Sequence, residues 1–109
     1  MWKDNDDRIC DIVDIINTKE IKVPEICPVC GKKELHFFLF KYPDEEKRGG
    51  AWIWCSECKH FSHFEYVIPQ WWKNYEGISF DELTSDPDLL ESKKEEIDFW
   101  IKHLISAES

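Results

Sequence analysis

Five cysteines carry the clearest chemistry in this 109-residue chain. Four of them form two Cys-x-x-Cys turns, Cys27-Pro28-Val29-Cys30 and Cys55-Ser56-Glu57-Cys58, separated by residues 31–54. A turn of this kind puts both sulfurs on one side of the chain. Two such turns supply four soft donors, the tetrahedral set that zinc takes at about 2.3 Å. Pro28 pre-sets one backbone angle of the first turn, and Gly31 permits a left-handed residue at its end. Lys59 holds the equivalent place in the second turn, where a left-handed backbone would carry about 1–2 kcal/mol of strain. The competing readings are two disulfides or a redox pair. Redox Cys-x-x-Cys motifs come singly, in a βαβ setting, so the spacing predicts a four-cysteine metal site. Four thiolates leave no open position for water or substrate, and such a metal is structural, not catalytic.

In spacing, residues 25–67 resemble the zinc-ribbon (rubredoxin-knuckle) superfamily. The resemblance implies a three-stranded antiparallel sheet beneath one structural Zn2+ whose ligands are Cys27, Cys30, Cys55 and Cys58. The expected fold class is therefore α+β, a zinc-ribbon sheet packed with an N-terminal and a longer C-terminal helix. One domain is expected over residues 1–109, since a chain of this length has room for one modest core. Its parts are a helix over 6–17, the ribbon over 25–67, and an aromatic segment with the C-terminal helix over 68–109.

The elements follow from local pattern. Asp4 or Asp6 is a helix cap, and Ile9, Ile12, Val13 and Ile16 then recur as one apolar face. Val23 is extended because Pro24 follows. Leu35 to Tyr42 reads as a strand whose consecutive Phe37, Phe38, Leu39 and Phe40 require cover on both faces. The run from Pro43 to Gly50 is charged and ends in two glycines, a turn signal that predicts a mobile ribbon tip. Ala51 to Trp54 is the second strand, with Trp52 and Trp54 on one face. Phe61 to Val67 is the third, ended by Pro69. A short helical turn is expected at Asp81-Glu82-Leu83. Asp86 and Pro87 then open a helix over 87–106, where Leu90, Ile97, Trp100, Ile101, Leu104 and Ile105 line one face. Lys93 and Lys94 interrupt that stripe and place a break near Ser92.

Charge bounds the partners. Fourteen Lys and Arg against 23 Asp and Glu give a net charge of −9, which repels phosphate and anionic membrane and attracts basic surfaces. No apolar run approaches the ~20 residues of a membrane span, and residues 1–8 have no apolar signal region. Four cysteines given to metal fit a reducing compartment, the cytoplasm; Cys10, left over, reads as a small buried helix residue. His60 and His63 follow the second turn closely, but four thiolates make a histidine ligand unnecessary. No nucleophile, base or phosphate loop is placed by sequence, so the chain does not read as an enzyme.

Two binding roles compete. Zinc ribbons often serve as nucleic-acid modules in transcription and translation. Lys32, Lys33, Lys41, Lys47, Arg48 and Lys59 lie near Trp52, Trp54 and Phe61, a mixture that can stack single strands. The other role is an acidic protein-binding module. The pattern Trp52-x-Trp54-Cys55-Ser56-x-Cys58 with His63 and Pro69-x-Trp71-Trp72 resembles small bacterial zinc-ribbon proteins of the toxin-immunity kind, which implies a basic toxin domain as partner. Charge favours this second role. Its candidate contact residues are Trp71 and Trp72, as an exposed aromatic anchor whose alternative place is the core, and the acids Asp81, Glu82, Asp86, Asp88 and Glu91.

Overall fold

The computed structural model describes residues 2–5, 7–18, 22–43, 47–84 and 86–107. In chain order its elements are β1 (Lys3–Asn5), α1 (Asp7–Cys10), a 3₁₀ stretch (Asp11–Thr18), β2 (Leu35–Lys41), β3 (Arg48–Cys55), β4 (His60–Val67), a 3₁₀ turn (Phe80–Glu82), α2 (Asp88–Ser92) and α3 (Lys94–Ala107). The antiparallel ribbon and the longer C-terminal helix match the expected α+β class. Leu35 faces Cys55 and Lys41 faces Gly49 across β2 and β3; Arg48 faces Val67 and Trp54 faces Phe61 across β3 and β4.

Three details depart from expectation. The sheet has a fourth strand, in the order β1-β4-β3-β2, with β1 parallel to β4. The edge of β4 offers unpaired backbone groups, and the Lys3 N–H donates to the Lys59 carbonyl at 2.9 Å where the second turn leads into β4. Asp4 is therefore a strand residue, and Asp6 lies outside the described residues. The N-terminal helix is α-helical only over Asp7–Cys10 and tightens to 3₁₀ over Asp11–Thr18. Ile9 is fully buried and is its anchor in the core.

The third departure concerns Gly49 and Gly50. They are not the end of a loop but residues of β3, opposite Lys41 and Phe40. A Cβ on Gly49 would stand 1.9 Å from the Phe40 carbonyl oxygen. The glycine is there for close backbone approach within a strand rather than for a turn. The C-terminal helix starts at Asp88, where the backbone N–H donates to the Asp86 carboxylate at 3.1 Å. It is broken at Lys93, the place the interrupted stripe indicates.

Leu35 through Leu39 and Gly49 through Cys55 are all buried, so both faces of the central strands are covered. α1 packs on β3 and β4, and α3 packs on β2. On the face that carries Trp52 and Trp54 lies the segment after Pro69: Phe38 meets Trp72 edge to face, and Trp52 donates to the Thr84 carbonyl at 2.8 Å. Leu90, Ile97, Ile101 and Leu104 are buried in the core, each worth about 1.5–3 kcal/mol of apolar burial. No helix among the described residues is long and apolar enough to cross a membrane.

Candidate metal centre

The first turn precedes β2 and the second joins β3 to β4, so the sheet itself brings them together. In both, the residue after the second cysteine closes the turn: the Gly31 N–H donates to the Cys27 carbonyl at 2.9 Å, and the Lys59 N–H to the Cys55 carbonyl at 3.1 Å. Both closing residues are left-handed, Gly31 at φ 77° and Lys59 at φ 65°. The turns are thus structural equivalents, one built with the residue that suits the conformation and one with a residue that does not.

All four sulfurs lie within 4.8 Å of one another. Cys27 and Cys58 are 3.8 Å apart, and Cys30 and Cys55 3.6 Å. A tetrahedron with arms of about 2.3 Å has edges of about 3.8 Å, so the spacing fits one zinc ion. Backbone amides support the sulfurs, with the Val29 N–H donating to Cys27 at 3.3 Å and the Cys58 N–H to Cys55 at 3.5 Å. The cluster contains no histidine among the described residues. His63 instead stacks on Trp52 at 4.3 Å, and burial lowers its pKa.

As thiols, Cys30, Cys55 and Cys58 do not ionise alike. Burial pushes Cys55 and Cys58 up. Burial opposes ionisation of Cys30 as well, but the Lys32 backbone and the neighbouring sulfurs outweigh it and hold that thiol low. A divalent ion reverses the balance by drawing all four to thiolate, so metal binding releases protons.

Lys59 also lies against the indole of Trp2, its Nζ 4.9 Å from the ring centroid. This decides what its replacement does. Lys59→Ala keeps the left-handed strain and loses a contact of about 0.5–1 kcal/mol. Lys59→Gly loses the same contact, relieves about 1–2 kcal/mol of strain and adds about 0.5–1 kcal/mol of chain entropy. The glycine variant should therefore melt close to the parent and above the alanine variant. A melting order with alanine above glycine would show that strain is not what governs this position.

Behind the second turn lies a polar cluster. Glu91 of α2 accepts from the Ser56 hydroxyl at 2.6 Å, the Trp54 indole N–H at 3.0 Å and the Lys94 ammonium at 2.9 Å. Burial resists its ionisation, but these three donors prevail and hold the carboxyl below the usual range. A lowered folded-state pKa stabilises above the unfolded value of about 4.3 and ceases to do so as pH falls through the folded value. Glu91→Gln should thus melt below the parent at pH 7, with the gap closing below pH ~4. Taking the gap cancels proton competition at the thiolates, which both proteins share. A gap unchanged at low pH would mean that the charge of Glu91 contributes nothing.

Beside this cluster, His36 and Asp98 pair through Nδ1 and Oδ2 at 2.8 Å, only 3% and 9% exposed. His36 stacks on Trp54 at 5.6 Å. His36 Nε2 and Asp98 Oδ1 have no hydrogen-bond partner among the described residues.

The sequence-derived contact residues fall into two groups. Trp71 and Trp72 are 7% and 5% exposed and belong to the core. They stand edge to face at 6.0 Å and form no exposed anchor, which corrects the exposed-patch expectation: the chain turns after Pro69, with the Trp72 N–H donating to the Pro69 carbonyl, and both rings are buried, Trp72 against Phe38 of β2. Asp81, Glu82, Asp86 and Asp88 are exposed. Glu82 accepts from the Ser79 backbone N–H at 3.0 Å, and Asp88 accepts from the Trp2 indole. Glu91 points inward. Cys10 is half-buried at the end of α1.

The sequence reading passed over Phe99, the most exposed large apolar side chain among the described residues at 75%. The available signal was its position, two residues beyond Ile97 and so on the far side of the helix from the buried stripe. Neither a protein-family model, nor a curated protein, nor a solved structure matches this chain.

Proposed function

We propose that this is a non-catalytic protein in which one structural Zn2+ organises an acidic surface for binding a basic protein partner. The observation that carries the proposal is the donor set. Four sulfurs at tetrahedral spacing fill the coordination shell of zinc and leave no position for substrate. The acidic half rests on charge placement. Asp81, Glu82, Asp86 and Asp88 are exposed on the segment that enters and begins α2, in a chain of net charge −9. Such a surface steers a basic protein toward it and makes association sensitive to salt. In its specific form the proposal is a bacterial immunity protein that holds a basic toxin domain inactive, as the motif resemblance suggests.

The rival is a nucleic-acid-binding ribbon in transcription or translation. Its aromatic half is weakened by burial: Trp52 and Trp54 are 3% and 0% exposed, so neither ring is presented to a base. Lys59, one of its cations, is engaged with Trp2.

The deciding experiment is capture from source-cell extract on immobilised protein at ~0.05 and ~0.5 M salt, between which the Debye length changes about threefold. One basic protein retained at low salt and released at high salt is the expected result, and toxicity of that protein expressed alone supports the immunity form. Retention of nucleic acid in its place would overturn the proposal in favour of the rival.

A further inference from the structure

An open pocket of about 480 Å³ lies on the outer side of α3, lined by Tyr75, Glu95, Glu96, Phe99 and Trp100. Its walls are aromatic and two of its five lining residues are acidic. The Trp100 indole N–H donates to the Lys73 carbonyl at 2.8 Å, which fixes the orientation of that ring. Tyr75 lies 5.9 Å from Trp100, inclined at 51°, and its hydroxyl donates to the Glu96 carboxylate at 2.8 Å. The aromatic frame is therefore held in place before any ligand arrives. Phe99, three-quarters exposed, forms the open side.

An exposed phenylalanine beside oriented Trp and Tyr rings marks a contact surface rather than a solvated face. The two carboxylates specify what kind. A purely apolar ligand would leave Glu95 and Glu96 partly desolvated without compensation. A cation satisfies both halves of the lining, because the ring faces attract positive charge and the carboxylates accept its hydrogen bonds. Of the two common cationic side chains, arginine fits better. Its guanidinium is flat, stacks on aromatic rings and presents several N–H groups at once, whereas the lysine ammonium is a compact, strongly hydrated point charge.

We propose that this pocket receives an arginine side chain of the basic protein partner. The inference rests on the protein-binding reading above and assigns its anchoring point. It moves the aromatic part of the interface from Trp71 and Trp72 to Phe99, Trp100 and Tyr75.

The test is an amide and indole ¹⁵N-correlation titration of the zinc-loaded chain at low salt. The probe is acetyl-Arg-Gly-Arg-Gly-Arg-amide, with the lysine counterpart for comparison and the Trp100 indole peak as reporter. A saturable shift of that peak is expected, with arginine preferred over lysine. Affinity should fall about tenfold in Phe99→Ala and again in the Glu95→Gln/Glu96→Gln double variant. Because these side chains are exposed, zinc content and melting temperature should match the parent. Parent-like affinity in Phe99→Ala would overturn the pocket. Shifts confined to Asp81 through Asp88 would overturn it while leaving the acidic-surface reading intact. No saturable shift anywhere would overturn both. A dimer in sedimentation that Phe99→Ala abolishes would overturn it by assigning the surface to a second copy of the chain.

Discussion

Cys58→Ser is expected to lose its zinc and its cooperative fold together. A structural zinc site contributes on the order of 10 kcal/mol to folding, whereas a domain of this size is stable by about 5–15 kcal/mol in total. Removing one of four thiolates therefore takes away a quantity comparable with the whole stability. The position aggravates the loss. Cys58 lies in the turn joining β3 to β4, and the Lys59 carbonyl beside it pairs with Lys3 of β1. Releasing that turn loosens the β3–β4 connection and the parallel edge strand at once. Metal content per chain and thermal melting, each with and without chelator, provide the check. The parent should hold one zinc and melt cooperatively, the variant should do neither, and Cys10→Ser should behave as the parent. Iron in the same site would colour the protein red. A Cys58→Ser protein with full zinc and the parent's melting temperature would refute the four-sulfur site.

The second large effect is expected at Asp98. Its replacement by alanine strands His36 Nδ1 in the core, beside a ring whose Nε2 already has no hydrogen-bond partner among the described residues. Leaving one member of a buried polar pair unsatisfied costs about 3 kcal/mol. For a chain of this length that corresponds to a fall of about 10–15 °C in melting temperature. Replacing both members tests the cause. His36→Phe with Asp98→Leu keeps a ring against Trp54 and leaves no unpaired polar group, so the double variant should recover most of the loss. If it is as unstable as Asp98→Ala, packing volume rather than the unpaired imidazole is what matters. If Asp98→Ala is neutral, the pair contributes nothing to stability.

The elements differ in how far they could be read from the residues. The two cysteine turns were legible because their geometry is local. Each is closed by a hydrogen bond over four residues, and the chemistry of four sulfurs is the same wherever the rest of the chain goes. The left-handed position after each turn follows from the same local geometry, which is why Lys59 could be singled out as a strained counterpart of Gly31. β2, β3 and β4 were legible from stretches rich in aromatic residues, and the break in the C-terminal helix from two lysines interrupting its stripe. The glycines of β3 were misread because the same residue type serves a turn and a close backbone approach. For Gly49 it is the position of Phe40 that distinguishes the two uses, and for Gly50 the ring of Trp52.

The sequence by itself therefore determined the four-cysteine cluster, the ribbon strands and the acidic balance, since these depend on spacing within a turn, periodicity within a strand and a sum of charges. Tertiary structure alone decided which polar and aromatic side chains of residues 71–98 turn inward to meet the sheet. Glu91 is turned to Trp54 and Ser56, Asp98 to His36, and Trp72 to Phe38. Each of those meetings joins residues more than thirty positions apart. Whether an acid or an aromatic ends as core, capping partner or exposed surface is settled by the element that arrives opposite it, and local pattern carries no record of that partner.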